Sequence, residues 1–197
     1  RLDIVDSVVI GLARVYNVIF LEETIALLKE YNIYYDLTTF KRQVRSNLKW
    51  CGKVAIIRYK KEDYLISLEF PYYKDVIDLR KNFKIAKYNL EELISFGKYK
   101  LNLFQEKILA FLNFLEIHLH SSEINSLVND LIFYSGFDIN NESVLLNICG
   151  SIEELYREVI NVIAEFPVWI YYGNNLNHFK ENIILPNKNE PCICGSG

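Results

Sequence analysis

The sequence predicts a mainly α-helical protein with one small β-hairpin near its N-terminus. Three observations predict it. Apolar residues recur at helical spacing over most of the chain. The period changes to that of strands between residues 53 and 70. Helix-opening signals stand ahead of several periodic runs. The chain has 197 residues and is 51% apolar, enough for one large domain or two small ones around packed cores.

Residues 3–16, DIVDSVVIGLARVY, set Ile4, Val8, Leu12 and Val15 along one face of an amphipathic helix. Residues 21–31, LEETIALLKEY, suit a second helix, with acids in its first turn where the helix dipole favours them. Asp36 can cap a third helix over 37–48, on which Phe40, Val44 and Leu48 recur every four positions. Residues 53–59, KVAIIRY, and 64–70, YLISLEF, are rich in β-branched and aromatic residues. With Lys60, Lys61, Glu62 and Asp63 as a polar turn between them, they read as a hairpin. Three short helices followed by a hairpin is the order of a winged helix. A winged-helix-like module is therefore expected over 1–70, with 37–48 in the recognition position and the strands as the wing.

After Pro71 the helical pattern returns, and a helical domain is expected over 71–185. Residues 72–82 suit a short helix. Asn89 and Glu92 resemble a capping box opening a helix over 89–97. Residues 102–119 are apolar almost all round, which predicts a buried central helix, and 122–134 continue in that style. Ser151 and Glu154 form a second box directly after Gly150. It opens a helix with Ile152, Leu155, Val159, Val162, Ile163 and Phe166 on its inner face, disturbed or ended by Pro167. Residues 168–183 are aromatic and Asn-rich, and 186–191 form a polar linker.

The net charge of −3 provides no general attraction to nucleic acid or acidic membranes, so such binding needs a local patch. No run of 18 apolar residues occurs, so no membrane insertion is expected. Cys51, Cys149, Cys192 and Cys194 do not have the spacing of a disulfide scaffold, and no signal peptide is apparent; a cytoplasmic setting is expected. The chain begins with Arg1 and contains no Met, which reads as a fragment.

The final residues are Asn189-Glu190-Pro191-Cys192-Ile193-Cys194-Gly195-Ser196-Gly197. Zinc favours thiolates in a tetrahedron, and two cysteines one residue apart can share an ion if the backbone turns sharply, as the following glycines permit. This string resembles the SEC-C motif, the zinc-binding tail of the translocation motor SecA that is appended to many bacterial proteins. The family pattern runs N-D-P-C-x-C-G-S-G, then basic and aromatic residues, then a final Cys-Cys or Cys-His. The resemblance implies that Cys192 and Cys194 are the first two zinc ligands, within a partial zinc knuckle over 186–197. It implies Zn2+ as cofactor only when a second ligand pair completes the site. It also implies a protein or ribonucleoprotein partner reached through the tail. A vaguer likeness to uncharacterised SEC-C proteins of low-GC bacteria and their phages covers Val15-Tyr16-Asn17-Val18-Ile19 and Trp169-Ile170-Tyr171-Tyr172-Gly173. Asn17 stands where a glycine is usual, and Asn174–His178 replaces the usual H-T-P-N.

A second feature is basic. Lys41, Arg42, Arg45, Lys49, Lys53, Arg58, Lys60 and Lys61 occur with no acid between them, whereas residues 1–40 hold six acids and three bases. Lys41, Arg42 and Arg45 should face outward from helix 37–48, with Lys60 and Lys61 at the wing tip. Such a set could neutralise phosphates, with Gln43 and Asn47 within reach of base edges. The plainer reading is a solvated face whose bases pair with neighbouring acids. Glu22, Glu23 or Glu62 would divide it.

Catalysis finds little support. No phosphate-cradling glycine loop and no H-E-x-x-H motif is present. His118 and His120 close an apolar helix, where side chains two apart diverge. Cys51 and Cys149 read as core, and Glu153, Glu154 and Glu158 as a solvated helix face. Trp169, Tyr171 and Tyr172 suit either an exposed docking patch or packing beneath the tail. The expected role is a non-enzymatic binding or adaptor protein. The alternative is a DNA-binding winged-helix regulator using Lys41, Arg42, Arg45, Lys49, Arg58, Lys60 and Lys61.

Overall fold

In a computed structural model of the chain, the structure describes residues 3–48, 52–80, 82–98, 106–120, 122–124, 126–127, 130–131, 157–159, 162 and 164–175. These show a mainly helical protein with one small antiparallel sheet. The Ser151–Glu154 box and the linker and knuckle over 186–197 lie outside the described residues. The chain divides into two compact units. The first comprises Arg1–Asp78 and Tyr88–Asn102, so it extends beyond residue 70 and includes the helix that follows Asn89.

Helix α1 (Ile4–Tyr16) opens on Asp3, whose side chain accepts the Asp6 N–H at 2.7 Å. It stops at Asn17, whose φ of 60° lies in the left-handed region that glycine adopts freely and asparagine tolerates better than most residues. That turn leads into β1 (Val18–Phe20), a strand too short to leave a period in the sequence. The Asn17 side-chain amide donates to the Phe70 carbonyl at 2.8 Å, and the Asn17 backbone carbonyl accepts the Ser67 N–H at 2.8 Å.

Helix α2 (Leu21–Glu30) follows directly, burying Leu21, Thr24, Leu27 and Leu28. Helix α3 (Leu37–Gln43) is capped by Asp36, which accepts the Thr39 N–H at 2.9 Å and the Thr39 hydroxyl at 2.6 Å. It does not run as one α-helix to residue 48. A π-turn over Val44–Leu48 completes it, and Phe40, Val44 and Leu48 are all three buried.

The hairpin is tighter than the sequence suggests. Strands β2 (Val54–Tyr59) and β3 (Glu62–Ser67) are joined by Lys60 and Lys61 alone, at φ 47° and 73°, while Glu62 and Asp63 belong to β3. A two-residue turn of this form, type I′, takes left-handed φ at both positions. Neither lysine advertises that conformation, so a four-residue turn was the natural expectation. The sheet order is β1-β3-β2, both pairings antiparallel, with Val18 opposite Ile66 and Val54 opposite Ser67.

Helix α4 (Tyr73–Leu79) is shorter than the predicted 72–82. Helix α5 (Leu90–Gly97) has the predicted box: the Asn89 side chain accepts the Glu92 N–H at 2.9 Å, and the Glu92 carboxylate accepts the Asn89 N–H at 2.7 Å. Helix α5 lies directly on α1. A Cβ on Gly11 would stand 2.8 Å from the Leu93 carbonyl carbon, and one on Gly97 would stand 2.6 Å from that of Ser7. Both glycines are therefore the condition for the two backbones to approach. With α5 in place, every residue of α1 from Asp6 to Tyr16 is buried.

In the second unit, α6 (Glu106–His118) is not enclosed all round. Phe111 and Leu115 are buried, whereas Ala110, Asn113, Glu116 and Ile117 form an exposed stripe, Ile117 at 79% exposure. Asn113 and Glu116 place the solvent side there, and Ile117 shares it through helical spacing. Val159, Val162 and Phe166 are buried, as their inner-face assignment predicts. A single 3-10 turn, Trp169–Tyr171, ends on Tyr172 in the left-handed conformation. This turn holds the segment 79–87. Phe83 meets Tyr171 with ring centroids 4.9 Å apart, and the Arg80 guanidinium lies 4.2 Å from the centre of the Tyr172 ring. The Asn174 amide donates to the Lys84 carbonyl at 2.7 Å.

Candidate functional site

Helix α3, its π-turn and the hairpin carry the described members of the basic set. The Lys41 ammonium meets the Asp63 carboxylate at 2.5 Å, and Arg58 approaches the other oxygen of that group at 4.0 Å. The Lys41 hydrogen bond, reinforced by the charges of Lys41, Arg58 and Arg45, holds the Asp63 carboxyl below the usual carboxylate range. Lys60 meets Asp78 of α4 at 2.6 Å, and this hydrogen bond raises the lysine above its ordinary value. Beside it, Tyr59 packs edge-on against Tyr73 of α4, centroids 6.2 Å apart. The hairpin is thus pinned on one side to α3 and on the other to α4. The acids that interrupt the basic set are Asp63 and Asp78.

Arg42, Arg45 and Lys61 are exposed. Arg58 is exposed as well, and its guanidinium also donates to the Lys61 carbonyl at 3.2 Å. Gln43, a candidate for reading base edges, turns inward and donates to Asp6 of α1 at 3.4 Å. Lys49 lies outside the described residues, and nothing is described of the Asn47 side chain.

Cys192 and Cys194 lie outside the described residues, as do Cys51, Cys149 and His178. Among the described residues, no group of three or more His, Cys, Asp or Glu side chains is placed to hold a metal ion. No helix there is long and apolar enough to cross a membrane. Trp169, Tyr171 and Tyr172 are buried, which removes the exposed aromatic patch and leaves packing.

Sequence reasoning missed one polar cluster. Arg14, 4% exposed, grips Glu69 through two bonds, Nε to Oε2 at 2.7 Å and Nη2 to Oε1 at 3.0 Å, while its Nη1 donates to the Phe96 carbonyl. One guanidinium thereby ties α1 to the end of the sheet and to the last turn of α5. No local signal marks it, because Glu69 is 55 positions away and Phe96 is 82. Asp6 is the other polar group drawn inward on α1. Burial, and then the neighbouring Asp3 charge, push its carboxyl above the usual range.

Neither protein-family models, nor curated proteins, nor solved structures contain a match to this chain.

Proposed function

We propose that this chain is a non-enzymatic macromolecule-binding protein of the cytoplasm. Its first unit is winged-helix-like, and its tail contributes Cys192 and Cys194 to a SEC-C-type zinc knuckle. The succession α1, β1, α2, α3, β2, β3 with sheet order β1-β3-β2 supports the winged-helix reading of the first unit. The string Asn189–Gly197 supports the zinc reading. The observation that carries protein docking over DNA binding is the engagement of both basic elements by acids, Lys41 by Asp63 and Lys60 by Asp78. Charges so paired release fewer counterions on meeting phosphate, and a hairpin held between two helices is less free to follow a groove.

The zinc reading is tested by zinc content of the full-length protein beside a Cys192→Ser, Cys194→Ser variant. One ion per chain, lost in the variant, is the expected result; equal zinc in both would sink it. A second reading, a DNA-binding regulator, is favoured by the exposure of Arg42 and Arg45. Titration against duplex DNA at several salt concentrations separates the two. A log–log slope near about −0.9 for each phosphate neutralised favours the regulator, and no binding at low salt removes it.

A further inference from the structure

The two edges of the sheet differ. β1 has three residues and runs straight into α2, whereas β2 has six, V-A-I-I-R-Y, and among the described residues pairs with β3 alone. Its register shows which backbone groups point outward. The turn closes at Tyr59 opposite Glu62, a pair that exchanges both hydrogen bonds in a two-residue hairpin. Ile57 opposite Tyr64 and Ala55 opposite Ile66 do the same by alternation. The Leu68 N–H on the Lys53 carbonyl, at 2.7 Å, continues that alternation. The N–H and C=O groups of Val54, Ile56 and Arg58 are therefore directed away from β3. Among the described residues no backbone hydrogen bond reaches them. Burial agrees: Tyr64–Ser67 of β3 are all buried, while Ala55, Ile56 and Ile57 are only half-buried.

An apolar edge of this kind is a template for another strand, with main-chain bonds for affinity and flanking side chains for choice. Here one flank is basic. Arg58, whose side chain is 74% exposed, stands near its end, and Lys61 and Arg45 are exposed close by. The acids nearby are Glu62 at the turn, Asp63 already engaged by Lys41, and Asp78 engaged by Lys60. A second copy laid antiparallel about Ile56 would set Arg58 of each chain opposite Val54 of the other, so neither guanidinium would meet a carboxylate. We propose that the β2 edge receives an extended segment of a partner protein, apolar at its centre and carboxylate-bearing where it meets Arg58, as a fourth strand. The peptide test does not call on Cys192 or Cys194, so its failure would leave the zinc reading standing, and the reverse.

The probe is a synthetic valine–threonine strand peptide flanked by glutamates, compared with the same core flanked by lysines, titrated into the full chain by NMR. The glutamate peptide should saturate, slow exchange of the Val54, Ile56 and Arg58 amides, and bind at least about tenfold more tightly than the lysine peptide. Ile56→Pro deletes an outward N–H without touching the β3 ladder, so it should keep the native circular dichroism and weaken the peptide by at least about tenfold. Equal binding of both peptides, or undiminished binding to a folded Ile56→Pro, overturns the proposal. Should that variant not fold, the wild-type amides decide. If those of Val54, Ile56 and Arg58 are as protected as Ala55 and Ile57 before any peptide is added, the edge is already covered and the proposal fails. A concentration-dependent dimer that protects these amides assigns the edge to a second copy and overturns it equally.

Discussion

Helices α1 and α3 begin alike and end in different surroundings. Each opens on an aspartate that accepts a backbone N–H three residues on, and each carries an apolar stripe. In α1 every residue from Asp6 to Tyr16 is buried, whereas among the described residues from Leu37 to Leu48 only Phe40, Val44 and Leu48 are. The difference is α5, which lies on α1 through Gly11 and Gly97; helix α3 keeps Arg42 and Arg45 exposed. Covering a helix on a second side forces its polar residues to find partners within the protein. Arg14 succeeds and Asp6 does so only in part. An uncovered polar face leaves its charges available to a partner molecule.

The strongest test of this contrast removes the tie that α1 alone possesses. Arg14→Ala strands the Glu69 carboxylate and the Phe96 carbonyl and should cost about 3–5 kcal/mol in urea unfolding, because a broken buried pair leaves an uncompensated charge. A loss near that of an exposed pair would mean that α5 does not seal the site.

Next comes the close approach itself. Gly11→Ala in an ordinary helix interior adds about 1 kcal/mol of stability. Here the new methyl meets the Leu93 carbonyl, so a net loss of about 1–3 kcal/mol is expected from overpacking against backbone. A gain in Tm would show that α5 does not press on α1 at this point.

Asp6 gives a smaller effect whose sign depends on pH. Its folded carboxyl titrates above the ordinary value of 3.8, so its contribution is fullest below that value and declines as pH rises through the folded one. Asp6→Asn should therefore raise Tm at neutral pH, the gain closing as pH falls toward the ordinary carboxylate range. Asp36 and Asp63 are shifted the opposite way, and their contribution is lost at low pH in both proteins alike. Comparing the two proteins at each pH isolates Asp6, and a pH-independent gap would refute the burial account. Smallest of all is the α3 side: Arg45→Ala should change unfolding free energy by no more than about 0.5 kcal/mol, as for exposed residues lacking a specific role. A larger loss would mean that α3 is no less structural than α1.

Much of the fold was legible wherever a local rule was strong. The aspartate cap of α3, the Asn89–Glu92 box and the two long strands of the hairpin all follow from neighbouring residues. β1 was invisible because three residues carry no period. The turn was misjudged because Lys60 and Lys61 adopt left-handed φ without the residues that usually mark it. Helix α6 was expected to be enclosed because composition counts apolar residues without saying how many sides find neighbours. For the candidate site, the basic positions were evident but their pairing was not. Asp63 reaches Lys41 across 22 positions and Asp78 reaches Lys60 across 18, beyond the range of any helical or strand period.

What the sequence by itself determined, then, is the identity of the main helices and the capping of α3 and α5, the existence of the hairpin, the local excess of base, and the closely spaced cysteines Cys192 and Cys194. Each is encoded by residues within a few positions of one another. Only the tertiary structure decided that α5 covers α1 while Arg42 and Arg45 stay exposed, that Arg14 belongs to Glu69 and Phe96, that acids hold Lys41 and Lys60, and that β2 pairs only with β3 among the described residues. Those outcomes depend on which distant segments meet, and a local period sets how a helix or strand is faced without naming what will lie against it.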